Sequence, residues 1–334
     1  MKKLLRKKDK ILLAGASGLA GNSIYKSLKK AGYGQKDNGG EILSPNRMEL
    51  NYLDSDKVKH WLKINKPDIV IVAAGKVGGI YANMMYPSEF LLENLKIELN
   101  LIENSWKCGV RRLLFLGSSC IYPKNSSCPI KEELLMEGKL EPTNEYYALA
   151  KITGLKLCES LRKQYGFDAL TLMPTNLYGP GDNYDEKRSH VLAALIKRFV
   201  KAKELNEKKV ICWGTGNPKR EFLHSTDLGD ACVFVLENWD PTNESAPKDK
   251  EGNLLNMLNV GTGMEISIKE LSKKIADIVN FKGEIIWDTS KPDGVYRKVL
   301  DVSRLQYLGW DAKITLSKGL QHEIKNYMRK IQSS

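Results

Sequence analysis

The chain has 334 residues, of which 42% are hydrophobic and 28% charged. These proportions exclude a disordered or collagen-like chain, and the length suits two domains better than one. The formal charge of +12 comes without compact basic and aromatic interleaving, so nucleic acid is not an expected partner. No apolar run reaches a membrane span, so a membrane is not expected either. The basic opening before residue 11 carries no signal-peptide core, which makes the cytoplasm the expected compartment. Six cysteines, at 108, 120, 128, 158, 212 and 232, form no Cys-x-x-Cys pair. Few histidines accompany them, which fits reduced thiols and no metal.

The first apolar run, residues 11–14, reads as a buried parallel strand. The turn Gly15-Ala16-Ser17-Gly18-Leu19-Ala20-Gly21 follows it, and then Ile24 and Leu28 at helical spacing. Strand, glycine turn and helix form the context of a dinucleotide site. Glycines let the backbone approach a pyrophosphate, and the helix start offers unpaired N–H groups to it. Residues 32–40 read as a polar loop before a second strand at 41–43. NAD sites usually place an acid at the end of that strand. Here Leu43-Ser44-Pro45-Asn46-Arg47 offers Arg47 instead, which suits the 2′-phosphate of NADPH. Asp54 is assigned beside the adenine, with ribose contact by Glu49 or Asp54 as the alternative.

Further strands are expected at 68–73, 113–117 and 169–173, and helices at 58–65, 90–108 and 147–165. This alternation predicts an α/β, Rossmann-type doubly wound parallel sheet. Ser118 stands just beyond its strand. Tyr147 and Lys151, four residues apart, share a helix face. A lysine ammonium beside a tyrosine favours the phenolate, and the tyrosine can protonate a carbonyl oxygen while Ser118 donates a hydrogen bond to it. Lys151 can also bond the nicotinamide ribose.

After Gly179 the pattern changes. Residues 181–189 are polar, 191–203 read as a helix, 210–213 as a strand, 241–252 as a surface loop and 258–261 as a strand. Ser267 and Glu270 predict a capping box on a helix at 268–279. The expected division is a cofactor domain over 1–180, with return segments within 222–260. A smaller mixed α/β substrate domain over 181–334 interleaves with it.

The glycine turn with Ser118 and Tyr147/Lys151 resembles the extended short-chain dehydrogenase/reductase superfamily. Longer motifs run along nearly the whole chain: residues 73–80, 115–123, 174–180, 189–191, 220–224 and 290–294. In these the chain is similar to the GDP-L-fucose synthase family, bifunctional 3,5-epimerase/4-reductases acting on GDP-4-keto-6-deoxy-D-mannose with NADP(H). Family members often carry His-Arg where Ala16-Ser17 stand here, which gives Arg47 more of the cofactor phosphate to hold. The resemblance implies that Cys120 is the base and His190 the acid that move protons at C3 and C5. It adds Pro174, Asn176, Leu177 and His190 to the cofactor contacts, and gives Arg198, Trp213, Arg220 and Asp293 to the substrate, with Lys197 adjoining. It also implies a homodimer.

From the residues alone, Cys120 reads first as a small buried hydrophobe, Arg198 as a helix-surface charge, Trp213 as a core ring and Arg220 as the ion-pair partner of Glu221, while His190 reads equally as an N-cap neighbour or surface histidine. His224 reads as a turn anchor. The rival activities are a nucleotide-sugar 4-epimerase or 4-reductase without 3,5-epimerisation, and a non-catalytic NADP-binding regulatory protein.

Overall fold

The computed structural model describes residues 4–185, 189–291 and 293–332. Part of the polar stretch 181–189 and Pro292 of the 290–294 motif therefore lie outside the described residues. The strands are β1 (Lys10–Ala14), β2 (Glu41–Leu43), β3 (Ile69–Val72), β4 (Arg112–Leu116), β5 (Asp168–Pro174), β6 (Asn176–Tyr178), β7 (Lys209–Trp213), β8 (Lys219–His224), β9 (Met257–Val260), β10 (Glu265–Ser267), β11 (Glu284–Asp288) and β12 (Arg297–Lys298). The helices are α1 (Leu19–Lys30), α2 (Ser55–Asn65), α3 (Ile80–Met85), α4 (Pro87–Lys107), α5 (Glu145–Tyr165), α6 (Val191–Glu204), α7 (Ser225–Asn238), α8 (Ile268–Val279), α9 (Ser303–Tyr307) and α10 (Leu316–Gln332).

The main sheet has six parallel strands in the order β2-β1-β3-β4-β5-β9. Its strands are apolar at nearly every position, because helices cover both faces. Leu12, Val70, Leu113 and Phe115 point to one face, where α2, α4 and α5 bury Val58, Leu62, Leu101, Ile102, Leu155 and Cys158. Ile11, Leu13, Ile71, Leu114 and Leu172 point to the other, against Ile24 and Leu28 of α1 and Leu228, Cys232 and Leu236 of α7. Each such aliphatic side chain contributes about 1.5–3 kcal/mol on full burial. The strand order reverses between β1 and β3, which opens a crevice at their carboxyl ends.

A second layer lies beside this sheet. β11 pairs with β7, while β8 pairs with β6, β10 and β12. Helices α6, α8 and α10 close a separate apolar core with Leu195, Phe199, Leu271, Ile275 and Leu320. Ser267 and Glu270 form the reciprocal capping box at the start of α8.

Candidate active site

Three chain segments meet at the carboxyl ends of β1, β3 and β4. The first is the turn after β1. Gly15 has φ +90°, and a Cβ there would lie 2.6 Å from the backbone nitrogen of Ala74. A Cβ on Gly21 would run into the Gly15 carbonyl. Only glycine fits either position, so the turn stays tight and its surface stays bare. Gly18 is the N-cap of α1 and supplies no side-chain cap. The first N–H groups of α1, at Leu19 and Ala20, are thus left for a ligand, with Ala16 and Ser17 at the tip of the turn. These features fit a dinucleotide. Tyr52, which sequence reasoning missed, hydrogen-bonds the Gly15 backbone; burial pushes its phenol up to about 12.

The turn after β2 is held by Asn46, whose Oδ1 accepts from Met48 N at 2.8 Å and Glu49 N at 3.1 Å. Glu49 folds back to accept from Asn46 N at 2.7 Å. That leaves Arg47 exposed at the strand end. Asp54 caps α2: Oδ1 accepts from Lys57 N at 3.1 Å, and this bond lowers the carboxyl below its ordinary range.

The second segment is the Tyr147–Lys151 pair on α5. Lys151 is 4% exposed, so it is no solvated charge. Its ammonium donates to the Leu116 carbonyl at 3.0 Å and lies 3.0 Å from Glu98 Oε1. It stands 5.9 Å from the centre of the Tyr147 ring. Tyr147 hydrogen-bonds Ser118 and meets Phe90 edge-on, with centroids 6.4 Å apart.

One expectation is corrected here: the phenol is not tuned toward phenolate. Burial pushes Tyr147 far up, Cys120 and then Glu98 add to this, and the Ser118 bond only opposes it. The physical reason is burial, which disfavours the charged phenolate, with the Cys120 thiol and the Glu98 carboxyl adding to it. Glu98 was missed in the sequence. Its signal is Phe90, Asn94 and Glu98 at four-residue steps, three buried positions on one face of α4. Asn94 pins the exit of β3: its Oδ1 accepts from Lys76 N at 2.8 Å and its Nδ2 donates to Lys76 O at 3.0 Å.

The third segment is the short turn after β4. Ser118 caps it, its Oγ accepting from Cys120 N at 3.2 Å. Cys120 is partly buried and lies close enough to bear on both Tyr147 and Arg220. Burial lowers the Arg220 guanidinium, while Cys120, Asp293 and Glu141 oppose that. Arg220 is not the partner of Glu221. Neighbours on a strand face opposite ways, and Glu221 accepts instead from the N–H groups of Thr262, Gly263 and Leu300.

Asp293 accepts from Thr215 N at 2.9 Å and Thr215 Oγ1 at 2.7 Å. Arg198 reaches from α6 to the Ile211 carbonyl at 2.6 Å. Trp213 is 59% exposed on β7, with the Lys291 ammonium 5.8 Å from its ring, so it is no core ring. Arg198, Trp213, Asp293 and Arg220 are thus tied through β7, its following turn and β8 into one wall that reaches Cys120.

His190 is the N-cap residue of α6 and opens to solvent on one side, while the surrounding protein disfavours its imidazolium and lowers its pKa. Pro174 ends β5. Asn176 donates to the Glu221 carbonyl at 2.8 Å, and Leu177 packs on the α1 face of the sheet. His224 caps α7, its Nδ1 accepting from Thr226 N at 3.3 Å.

Residues 11–247 match the NAD dependent epimerase/dehydratase family. The chain is 45% identical over 313 residues to a GDP-L-fucose synthase of Escherichia coli strain K12, covering 94% of each chain. A solved Campylobacter jejuni GDP-6-OMe-4-keto-L-xylo-heptose reductase superimposes with a TM-score of 0.88 at 33% identity, over 98% of this chain and 99% of the other. A Naegleria fowleri GDP-L-fucose synthetase bound to NADP superimposes with a TM-score of 0.84 at 25% identity, over 99% of this chain and 97% of the other.

Proposed function

We infer, from the premise that this chain belongs to the NAD dependent epimerase/dehydratase family, that it makes GDP-L-fucose from GDP-4-keto-6-deoxy-D-mannose with NADP(H). The observation that carries the reading is Cys120 held by its N–H on Ser118 Oγ at 3.2 Å, the same serine that hydrogen-bonds Tyr147. A simple ketone reductase has no use for a second proton-transfer group there.

The C4 ketone makes the hydrogens on C3 and C5 acidic, because loss of either gives an enolate. Cys120 removes the proton from one face and His190 delivers one to the other; both types titrate near neutrality. Ser118 and Tyr147 stabilise the enolate oxygen by hydrogen bonding. NADPH, when bound, supplies the hydride that reaches C4. Tyr147 gives its proton to O4, and Ser118 steadies the developing alkoxide. Lys151 holds the nicotinamide ribose. The residues 15–21, Arg47, Asp54, Pro174, Asn176 and Leu177 hold the rest of the cofactor, with Arg47 on the 2′-phosphate. His190 borders both ligands. Arg198 and Arg220 clamp the diphosphate of the GDP-sugar, Trp213 packs on it and Asp293 orients the wall.

The functional unit is a homodimer built on α4 and α5. These helices pack on each other and leave Leu92, Leu99, Tyr146 and Leu149 exposed along one face.

Cys120→Ser tests the reading. The variant is expected to keep NADPH oxidation while losing inversion, giving a GDP-6-deoxy sugar reduced at C4 that is not fucose. Proton NMR of the recovered sugar decides. L-fucose stereochemistry at the wild-type rate would return Cys120 to a packing role and favour the simple 4-reductase.

A further inference from the structure

Glu98 is buried with 0% exposure in the middle of α4, yet no step above uses it. Burying a lone carboxylate is costly, so such a group persists only beside a compensating charge. The compensating charge is the Lys151 ammonium, 3.0 Å from Oε1. Among the described residues neither Glu98 oxygen has a well-aligned hydrogen bond, so the pair is held by charge and packing. The packing is close. A Cβ on Gly154 would lie 2.7 Å from Glu98 Oε2 and 2.7 Å from the Phe115 ring, so glycine at this point of α5 makes the room for the carboxylate.

The surroundings isolate the pair. Lys151 is the charged group that acts on the Glu98 carboxyl: burial raises that carboxyl and the ammonium opposes it. From α5, Tyr147 and Cys158 also face Glu98, and both are pushed up by burial with Glu98 adding to it. β4 presents the neutral Phe115 ring and the Leu116 carbonyl. The loop after β3 carries Lys76, whose ammonium is turned away to Glu89 and Glu93. On α4 itself Asn94 is spent on the Lys76 backbone. The Cys120 thiol also bears on Tyr147 from the turn after β4, and Glu98 is the carboxyl in contact with the Lys151 ammonium.

We propose that Glu98 is a positioning residue of the reducing centre, the fixed counter-charge that keeps Lys151 as ammonium and Tyr147 as phenol together, the protonation state that carbonyl reduction consumes. The inference rests on the functional reading above and extends it to a residue on a different helix. Without the negative charge, the Tyr147–Lys151 pair carries a net positive charge in a buried place. It then gives up its first proton at lower pH, whichever of the two groups loses it.

Glu98→Gln keeps the shape and removes the charge. Protein carrying 13Cζ-tyrosine and 15Nζ-lysine, with signals assigned through Tyr147→Phe and Lys151→Met, reads the pair without substrate. The first of the two signals to titrate is expected to do so about one to three pH units below its wild-type position. In steady state, the alkaline fall of kcat for NADPH oxidation is expected to move down by the same amount. Glu98→Asp, which retains the charge, is expected to keep the wild-type titration range. Unmoved signals and an unmoved alkaline limb in Glu98→Gln would overturn the proposal. If Glu98→Gln does not fold, the 13Cδ signal of Glu98 in the wild type decides, assigned through Glu98→Asp. A carboxylate at pH 7 supports the proposal, and a protonated carboxyl overturns it. Should the wild type make no GDP-L-fucose, the functional reading falls, while the labelled signals still decide the role of Glu98.

Discussion

In the proposed mechanism Tyr147 is the proton donor of the reduction, a buried phenol that stands against Ser118. A buried phenol that resists ionisation is a donor across neutral and alkaline pH, as transfer to an alkoxide requires. Tyr147→Phe removes the proton and leaves the ring against Phe90. We expect NADPH oxidation to fall by about 10²–10⁴-fold, with a near-normal rate in steady-state assays counting against this donor. Arg47 is the other residue with a sharp test. It is exposed at the end of β2, and the only acid in its turn, Glu49, is folded back on Asn46. Arg47→Ala is expected to raise the KM for NADPH more than that for NADH; equal changes would take Arg47 off the 2′-phosphate.

Legibility differed among these residues for a physical reason. Tyr147 and Lys151 were readable because four residues on a helix bring two side chains together. Glu98 was not, because its partner is 53 positions away and an acid within a helical pattern reads by default as a solvated charge. Separation along the chain, 41 and 79 positions, also hid the true partners of Glu221, which are backbone N–H groups from two later segments.

Elements were readable where one period dominates. The strands of the main sheet fall within one residue of expectation, because apolar runs bounded by turn residues leave little choice. The helices α2, α4 and α5 begin two or three residues earlier than their apolar pattern, since Asp54, Pro87 and Glu145 extend them with polar first turns. Helix α7 was not expected. It is apolar on most sides, and Gly229 inside it argues against a helix. The structure supplies the reason for that glycine, since a Cβ there would lie 2.5 Å from the Ser23 carbonyl of α1. Helices α4 and α5 show the opposite pattern, with Leu92, Leu99, Tyr146 and Leu149 facing outward. Such a face is expected to be covered by a second copy. The wild type should have a dimer mass by sedimentation, and Leu149→Glu should shift it toward monomer. A monomeric wild type would contradict the dimer.

At the scale of the molecule, the site is a product of chain crossing. The main sheet takes β9 from far along the chain, and α7 returns to pack on α1. Between them β6 and β8 pair, and carry the Arg220 wall to the turn that holds Cys120. The glycine turn and the Tyr147–Lys151 pair come from the first sheet and its helices, while Arg198 and Arg220 come from the second layer. A ligand that spans both must be long and anionic at one end, as a GDP-sugar is. Motifs revealed the parts, but the pairing of β6 with β8, which joins them, has no signal in a single sequence, because it depends on contacts 46 residues apart.

The most direct measurement gives the purified protein GDP-4-keto-6-deoxy-D-mannose and NADPH and analyses the stereochemistry of the product by proton NMR. GDP-L-fucose, inverted at C3 and C5 and reduced at C4 with one NADPH consumed per sugar, is the expected result. A sugar reduced at C4 without inversion, or a ketone left unreduced while NADPH persists, would contradict it.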